Sequence, residues 1–397
     1  MTIPRVLIPA DIRFPLERAN GVQIIKTASA LARSGLPTTL VVRHSDSRSD
    51  DEVLGLYGLS RPAALSVRRL RVSHRRGAFA LPRASFLVQA WMLALAALRR
   101  GEVVFTRDLQ LADLLLALRM GGRVVYEAHA VEALMYAERG ALYGTGERPD
   151  PRKAARLARR EGRVWRRAHV FLTTTRGIQE TFAERYGARG LTAVVPNGCD
   201  LPAEPGFPGL ARESPARVLY AGQLYPWKGV DILVEAMTSV PEARLVILGG
   251  LERETDMTRI RARVEALGLR ERVELRGTIP QAQVAEELRR ASVVVVPFLR
   301  SAMTERHTSP LKAFEAMAAG RPIVCSDLPS SREFLRDGEN ALLVPPGDTA
   351  ALGEAVKRLL TDPCAAERLA RQAHAEASKY SWDARAQRVR EVLEIRA

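Results

Sequence analysis

Short, unbroken apolar runs alternate with longer amphipathic stretches along this chain, and the alternation occurs twice. In the first half Val6 to Pro9, Thr38 to Val42, Val103 to Thr106, Val124 to Ala128, Val170 to Thr173 and Thr192 to Val195 are compact and rich in β-branched residues. Such runs predict strands buried on both faces of a parallel sheet. Between them the period lengthens to that of helices, as in Gly21 to Ser34, stopped by Gly35, and Asp150 to Ala168. The second half repeats the rhythm at Arg217 to Ala221, Arg244 to Leu248, Val273 to Leu275, Val293 to Val296, Ile323 to Cys325 and Leu342 to Val344. Each half therefore reads as an α/β, doubly wound parallel sheet. The loop Ser45 to Asp51 and the basic stretch Arg68 to Arg83 read as exposed insertions, and the Pro- and Gly-rich Pro202 to Pro215 as a linker.

The most informative stretch is residues 293–327, VVVVPFLRSAMTERHTSPLKAFEAMAAGRPIVCSD. It predicts a strand, a polar loop, a helix and a second strand. Ser309 and Pro310 fit an N-cap and first-turn pair. Leu311, Phe314, Met317 and Ala318 share one helix face until Gly320 supplies a stop. The helix N-terminus then leaves the carboxyl end of a parallel sheet, where free N–H groups and the helix dipole favour an anion. Glu315, about two turns in, is within reach of whatever trails behind that anion. This combination suits a phosphate with a sugar attached.

Further landmarks accompany this stretch in order: PNGCD at Pro196 to Asp200, YAGQLYPWKGVD at Tyr220 to Asp231, LVILGG at Leu245 to Gly250, RGTI at Arg276 to Ile279 and EFLRDGENALLVPPGD at Glu333 to Asp348. Together they resemble the GT-B fold, retaining glycosyltransferases of the family 4 type (glycosyl transferases group 1). The resemblance spans nearly the whole chain and is strongest in the second half. It implies two Rossmann-like domains facing across a cleft: residues 1–198 for the acceptor, residues 199–380 for a nucleotide-sugar donor, and a helix in residues 381–397 crossing back to the first domain.

The same resemblance assigns roles. Lys228 would neutralise the diphosphate and Glu315 would accept hydrogen bonds from the ribose hydroxyls. The backbone of Thr308, Ser309 and Leu311 would cradle phosphate, and that of Ile279 would face the base. Gln223 stands where the family usually has Arg, and His307 where it has a sugar-contacting Glu. In the first domain Asn20 and Gly21 open a helix, with Gly21 allowing close approach to a phosphate or sugar, and His129 follows a strand near the donor sugar. The expected mechanism is a retaining transfer with Lys228, His129 and Glu315 in the chemistry, and no protein nucleophile. No Asp-x-Asp motif ends a strand, and Glu252, Glu254 and Asp256 read as first-turn residues, so no metal or other cofactor is expected.

Composition adds the setting. Cys199, Cys325 and Cys364 are too few and too scattered for a disulfide framework or zinc motif, which favours a reducing cytoplasm. No signal-peptide core is evident, and the longest apolar run, Ser85 to Leu98, is too short to span a bilayer. The net charge is +15, and residues 1–195 hold 32 Lys+Arg against 17 Asp+Glu, which accounts for all of it. Such asymmetry points to an acidic partner of that half: an anionic membrane surface, with the chain peripheral on its inner face, or a phosphorylated or lipid-linked acceptor, and less so nucleic acid. Two other functions share the architecture, a nucleotide-sugar epimerase and a non-catalytic nucleotide-sugar-binding relative.

Overall fold

The computed structural model describes residues 4–16, 19–45, 47–72, 82–118, 123–204, 206–210, 213–250 and 255–394. Packing divides the chain into two compact units, Met1–Tyr136 with Asp150–Pro196 and Trp382–Ala397, and Ala137–Pro149 with Asn197–Ser381. The final helix, Trp382–Glu394, thus belongs with the first unit. The short segment Ala137–Pro149, expected in the first domain, groups with the second, where Tyr143 packs edge-on against Tyr225 at 5.0 Å.

The first unit is a parallel seven-stranded sheet of β1 (Val6–Phe14), β2 (Thr38–His44), β3 (Leu65–Leu70), β4 (Val103–Thr106), β5 (Arg123–Ala128), β6 (Val170–Thr173) and β7 (Thr192–Val194), in the order β3-β2-β1-β4-β5-β6-β7. The second is a parallel six-stranded sheet of β8 (Ala216–Ala221), β9 (Ala243–Leu248), β10 (Val273–Gly277), β11 (Val293–Val296), β12 (Ile323–Ser326) and β13 (Leu342–Val344), in the order β10-β9-β8-β11-β12-β13. Strand order reverses between β1 and β4 in one sheet and between β8 and β11 in the other. Ligands of open α/β sheets collect at the carboxyl ends of such reversal points.

Both faces of each sheet are covered, as the unbroken apolar runs require. Along β8, Val218 and Tyr220 enter one core while Leu219 and Ala221 enter the other, the two-residue alternation of a pleated strand. Trp165, Phe171 and Phe182 fill one side of the first sheet.

Two segments depart from the sequence reading. The region expected to be a basic insertion contains β3, which pairs with β2 along Thr38–Arg43. Its residues LSVRRL are buried only at Leu65 and Leu70. An edge strand tolerates charge that a central strand cannot, which hid it. Most of the remaining stretch, residues 73–81, lies outside the described residues. The loop after β2 holds a helix, Asp50–Gly55, started by Ser49, which accepts from the Glu52 N–H while the Glu52 carboxylate accepts from the Ser49 N–H.

Candidate functional site

In the second unit the loops leaving β8 and β11 meet. Pro226–Lys228 forms one 3-10 turn, closed by Gly229 at φ 70°. A side chain there is excluded twice, by the left-handed backbone and by the Pro297 carbonyl oxygen, 1.8 Å from where a Cβ would stand. Leu299 N–H donates to the Trp227 carbonyl at 3.0 Å and ties the loops together. The result sets the Lys228 ammonium 3.9 Å from the Trp227 ring centre and 4.4 Å from that of Phe298. No described carboxylate pairs with it. Burial pulls its pKa down to about 7, because the aromatic pocket solvates the cation less well than water does.

Nearby lie groups that find no hydrogen-bond partner among the described residues. Gln223 Oε1 and Trp227 Nε1 are buried without a hydrogen bond, while the Gln223 carbonyl accepts from the Tyr220 hydroxyl at 2.6 Å. The helix after β11 runs Leu311–Ala318 and ends at Gly320, with Gly320 N–H donating to the Met317 carbonyl and Arg321 N–H to that of Ala316. Its start differs from expectation. Pro310 is the N-cap and makes no side-chain cap bond. Ser309 does not cap the helix, because its hydroxyl accepts from Asn197 N–H at 3.0 Å and its carbonyl from Asn197 Nδ2 at 2.7 Å. The backbone N–H groups of Thr308, Ser309 and Leu311 have no partner among the described residues.

Glu315 is half-buried on this helix. Gln281 Nε2 donates to its Oε1 at 2.7 Å. Lys312 Nζ approaches Oε2 at 2.7 Å, yet that oxygen accepts no aligned hydrogen bond and is shielded from solvent. His307, at the end of the short helix Ala302–Arg306, is 4% exposed, and burial with the Arg306 charge beside it lowers its pKa to about 4. It is a neutral imidazole at pH 7. Ile279 packs at the edge of the core after β10, beside Thr278, whose hydroxyl donates to the Gly250 carbonyl at 3.0 Å. Of the acidic cluster, Glu252 and Glu254 lie outside the described residues. Asp256 is in the first turn of its helix.

The first unit has its own centre at the reversal between β1 and β4. His129, just beyond β5, bonds through Nε2 to Glu127 Oε2 at 2.8 Å. Glu127 is fully buried and also accepts from Gln23 Nε2 at 3.1 Å and from Arg385 Nη2. Arg385 comes from the final helix and further donates to the carbonyls of Val195 and Pro196, at 2.6 and 2.7 Å. Burial pushes the Glu127 pKa up, but Arg385, the His129 hydrogen bond and Arg107 together outweigh it and hold the carboxyl far below the usual carboxylate range. Burial also lowers the His129 pKa to about 4, aided by the Arg107 charge. The neutral ring donates Nε2–H to the carboxylate and presents Nδ1 as an acceptor. Asn20 and Gly21 do open the Ala19–Arg33 helix. The space at Gly21 is taken by the chain itself, since a Cβ there would stand 2.2 Å from the Leu16 carbonyl oxygen. That glycine is required by its own loop.

Comparison with known proteins fits this geometry. Residues 215–362 match the family described as glycosyl transferases group 1, and residues 21–198 match the glycosyl transferase 4-like domain. The chain belongs to the glycosyl transferases group 1. It is 30% identical over 272 residues to D-inositol 3-phosphate glycosyltransferase from Xylanimonas cellulosilytica, covering 64% of this chain and 63% of that protein. It is 33% identical over 219 residues to phosphatidyl-myo-inositol mannosyltransferase from Mycobacterium leprae, covering 52% and 54%. The aligned part thus spans less than two thirds of either relative. Two solved structures share the GT-B fold. Sucrose-phosphate synthase from Thermosynechococcus elongatus superposes with a TM-score of 0.75 at 22% identity over 99% of this chain and 98% of its own. HepE from Anabaena, in complex with UDP and glucose, superposes at 0.71 with 18% identity over 98% and 99%. Within this group 1 chain, Lys228, Ile279, His307 and Glu315 fall in one matched region and Gly21, Glu127 and His129 in the other.

The sequence reading missed Glu127, Gln23, Arg385, Gln281 and Asn197. A signal existed for Glu127, since an acidic residue inside the apolar strand RVVYEA is rarely buried without partners. Arg385 stands 258 positions away and carried none.

Proposed function

We propose that this chain is a retaining glycosyltransferase that moves a hexosyl group from a UDP- or GDP-linked sugar to an acceptor hydroxyl. The observation that carries the reading is Lys228, a desolvated cation at the β8–β11 reversal without a counter-carboxylate among the described residues. In the proposed step the bond between the sugar and the diphosphate breaks and its electron pair leaves with the phosphate. A bond from the acceptor oxygen forms on the same face of the sugar, and the acceptor proton passes to the departing phosphate. Lys228 and the N–H groups of Thr308, Ser309 and Leu311 stabilise the charge that develops there. Glu315 Oε2, shielded and without an aligned donor, accepts from the ribose hydroxyls. The backbone at Ile279 faces the base, Gln223 contributes hydrogen bonds without charge, and the neutral His307 meets a sugar hydroxyl. In the first unit His129, Asn20 and Gly21 work near the donor sugar.

With Lys228 and these N–H groups supplying the positive field, no metal is required. A relative that acts on D-inositol 3-phosphate and one named for phosphatidyl-myo-inositol support an anionic or lipid-linked acceptor. Anabaena HepE with bound UDP-glucose supports a nucleotide-sugar donor. The basic first unit would rest on the inner, anionic face of the membrane. Among the described residues no helix is long and apolar enough to cross it. Incubation with UDP-glucose, UDP-GlcNAc or GDP-mannose, with and without EDTA, tests the reading. Release of nucleoside diphosphate only in the presence of an acceptor extract, insensitive to EDTA and with the anomeric configuration kept in the product, is expected. Conversion of the sugar without acceptor would instead reveal an epimerase, and no release with any donor a binding protein.

A further inference from the structure

The first unit also holds a partly buried cation that pairs with no carboxylate among the described residues. Arg107 directly follows β4, at the carboxyl end of the sheet where strand order reverses, and its side chain is half-buried. Its Nη1 donates to Gln23 Oε1 at 2.5 Å and more weakly to the Asn20 carbonyl at 3.4 Å. Gln23 is itself locked, because its Nε2 is spent on Glu127. The orientation of the guanidinium is therefore fixed through a buried relay, Glu127 to Gln23 to Arg107. Nε and Nη2 hydrogen-bond to no described residue, and no described carboxylate pairs with Arg107.

Glu127 does not supply the missing counter-charge. Its oxygens are taken by Gln23, His129 and Arg385. With His129 neutral, Arg107 and Arg385 face one carboxylate, and the cluster is left with one positive charge in excess. Burial lowers the Arg107 pKa to about 10, opposed by Glu127 and reinforced by Arg385. A guanidinium remains charged at that value at pH 7. A partly desolvated cation with a fixed, unused pair of N–H donors is the arrangement that takes an oxyanion bidentately.

We propose that Arg107 is the cation of an oxyanion site in the first unit, separate from Lys228, that binds a phosphate or carboxylate group. The group has two sources: an anionic substituent of the acceptor, or the diphosphate of the donor. Only the naming of these sources rests on the transferase reading; the site itself is tested without turnover.

Inorganic phosphate is titrated calorimetrically into the full chain carrying Lys228→Ala, which removes the second unit's cation. Phosphate binding is expected to persist, and to weaken about tenfold or more when Arg107→Gln is added, with Arg107→Lys in between. Absence of binding in Lys228→Ala, or unchanged binding after Arg107→Gln, overturns the proposal. A measurement on the unmutated chain covers a variant that fails to fold. Phenylglyoxal labelling of Arg107, mapped by mass spectrometry, should slow in phosphate, and labelling indifferent to phosphate overturns the site. UDP then separates the sources. If Arg107→Gln weakens UDP in step with phosphate, the oxyanion is the donor's; if UDP is unaffected while phosphate is lost, it is the acceptor's.

Discussion

A lysine ammonium that rests on two aromatic rings, with no carboxylate beside it among the described residues, is charged only under protest from its surroundings. Its folded pKa of about 7 lies below the ordinary 10.5, so between those values the unfolded chain binds the extra proton and stability rises with pH. A bound diphosphate reverses the preference and draws the proton back. UDP affinity should therefore fall about tenfold between pH 7 and 8.5, a slope that Lys228→Arg should abolish; calorimetry at both pH values checks it. Lys228→Ala should lower kcat by about 100-fold, the scale for losing one preorganised charge stabiliser, and near wild-type turnover would remove it from the mechanism. His307 makes a contrasting case. Being neutral, it serves a hydroxyl better than a phosphate, so His307→Ala should raise KM for the nucleotide sugar while leaving the Kd of the free nucleotide nearly unchanged. Equal effects on both would place it against the phosphates. The positions of Lys228 in the loop after β8 and of Glu315 on the helix after β11 were legible in the sequence because each sits in a motif with fixed spacing. What the sequence could not show was their surroundings: that the Lys228 cation is desolvated by Trp227 and Phe298, or that Asn197, over a hundred positions away, holds Ser309.

At the scale of elements the first unit hangs on one ion pair between a strand and the last helix. Arg385 and Glu127 are both fully buried, and removing either breaks a buried ion pair, which costs about 3–5 kcal/mol. Arg385→Met should lower the denaturation free energy of the first unit by that amount, and a loss below 1 kcal/mol would show that the pair is incidental. Acid should act the same way. Glu127 is held below its ordinary 4.5 and His129 is lowered from 6.5 to about 4. In both cases the unfolded chain binds more protons as pH falls through these windows, so stability contributed above pH 6.5 is lost on acidification. Pulse proteolysis from pH 7 to 4 should show unit one opening first, and His129→Gln should flatten that profile. Central strands were readable because burial on both faces demands uninterrupted apolar residues. Strand β3 escaped notice because, at the edge, only Leu65 and Leu70 face the core. The bond from β5 to the Trp382–Glu394 helix escaped because no local pattern records a partner so distant in sequence.

For the whole molecule the unresolved quantity is the excess charge of the first half, and the structure redistributes it. The Pro151–Arg167 helix carries Arg152, Arg156, Arg159, Arg163 and Arg166 as one basic stripe, but Arg163 is neutralised by Asp113 through two 2.7 Å bonds. Arg152, Arg156, Arg159 and Arg166 are exposed and form no ion pair among the described residues. The adjoining Leu109–Ala117 helix packs against this one and against Pro82–Arg99. On these two helices and just past the first, Val88, Met92, Leu114 and Leu118 are large apolar side chains left in solvent. Exposed apolar residues beside unpaired arginines suit an anionic bilayer surface, where the apolar groups enter the headgroup boundary and each arginine adds about 1 kcal/mol, weakened by salt. Binding to vesicles with a third phosphatidylglycerol, and not to pure phosphatidylcholine, is expected in cosedimentation at low salt and should fade at high salt. Arg156→Glu with Arg159→Glu should abolish it, whereas Val88→Ser with Met92→Ser should weaken it and leave the salt dependence in place. If the protein ignores anionic vesicles at low salt, the positive field acts on a soluble anionic acceptor instead, and the same charge reversals should then raise its KM without altering the Kd for UDP.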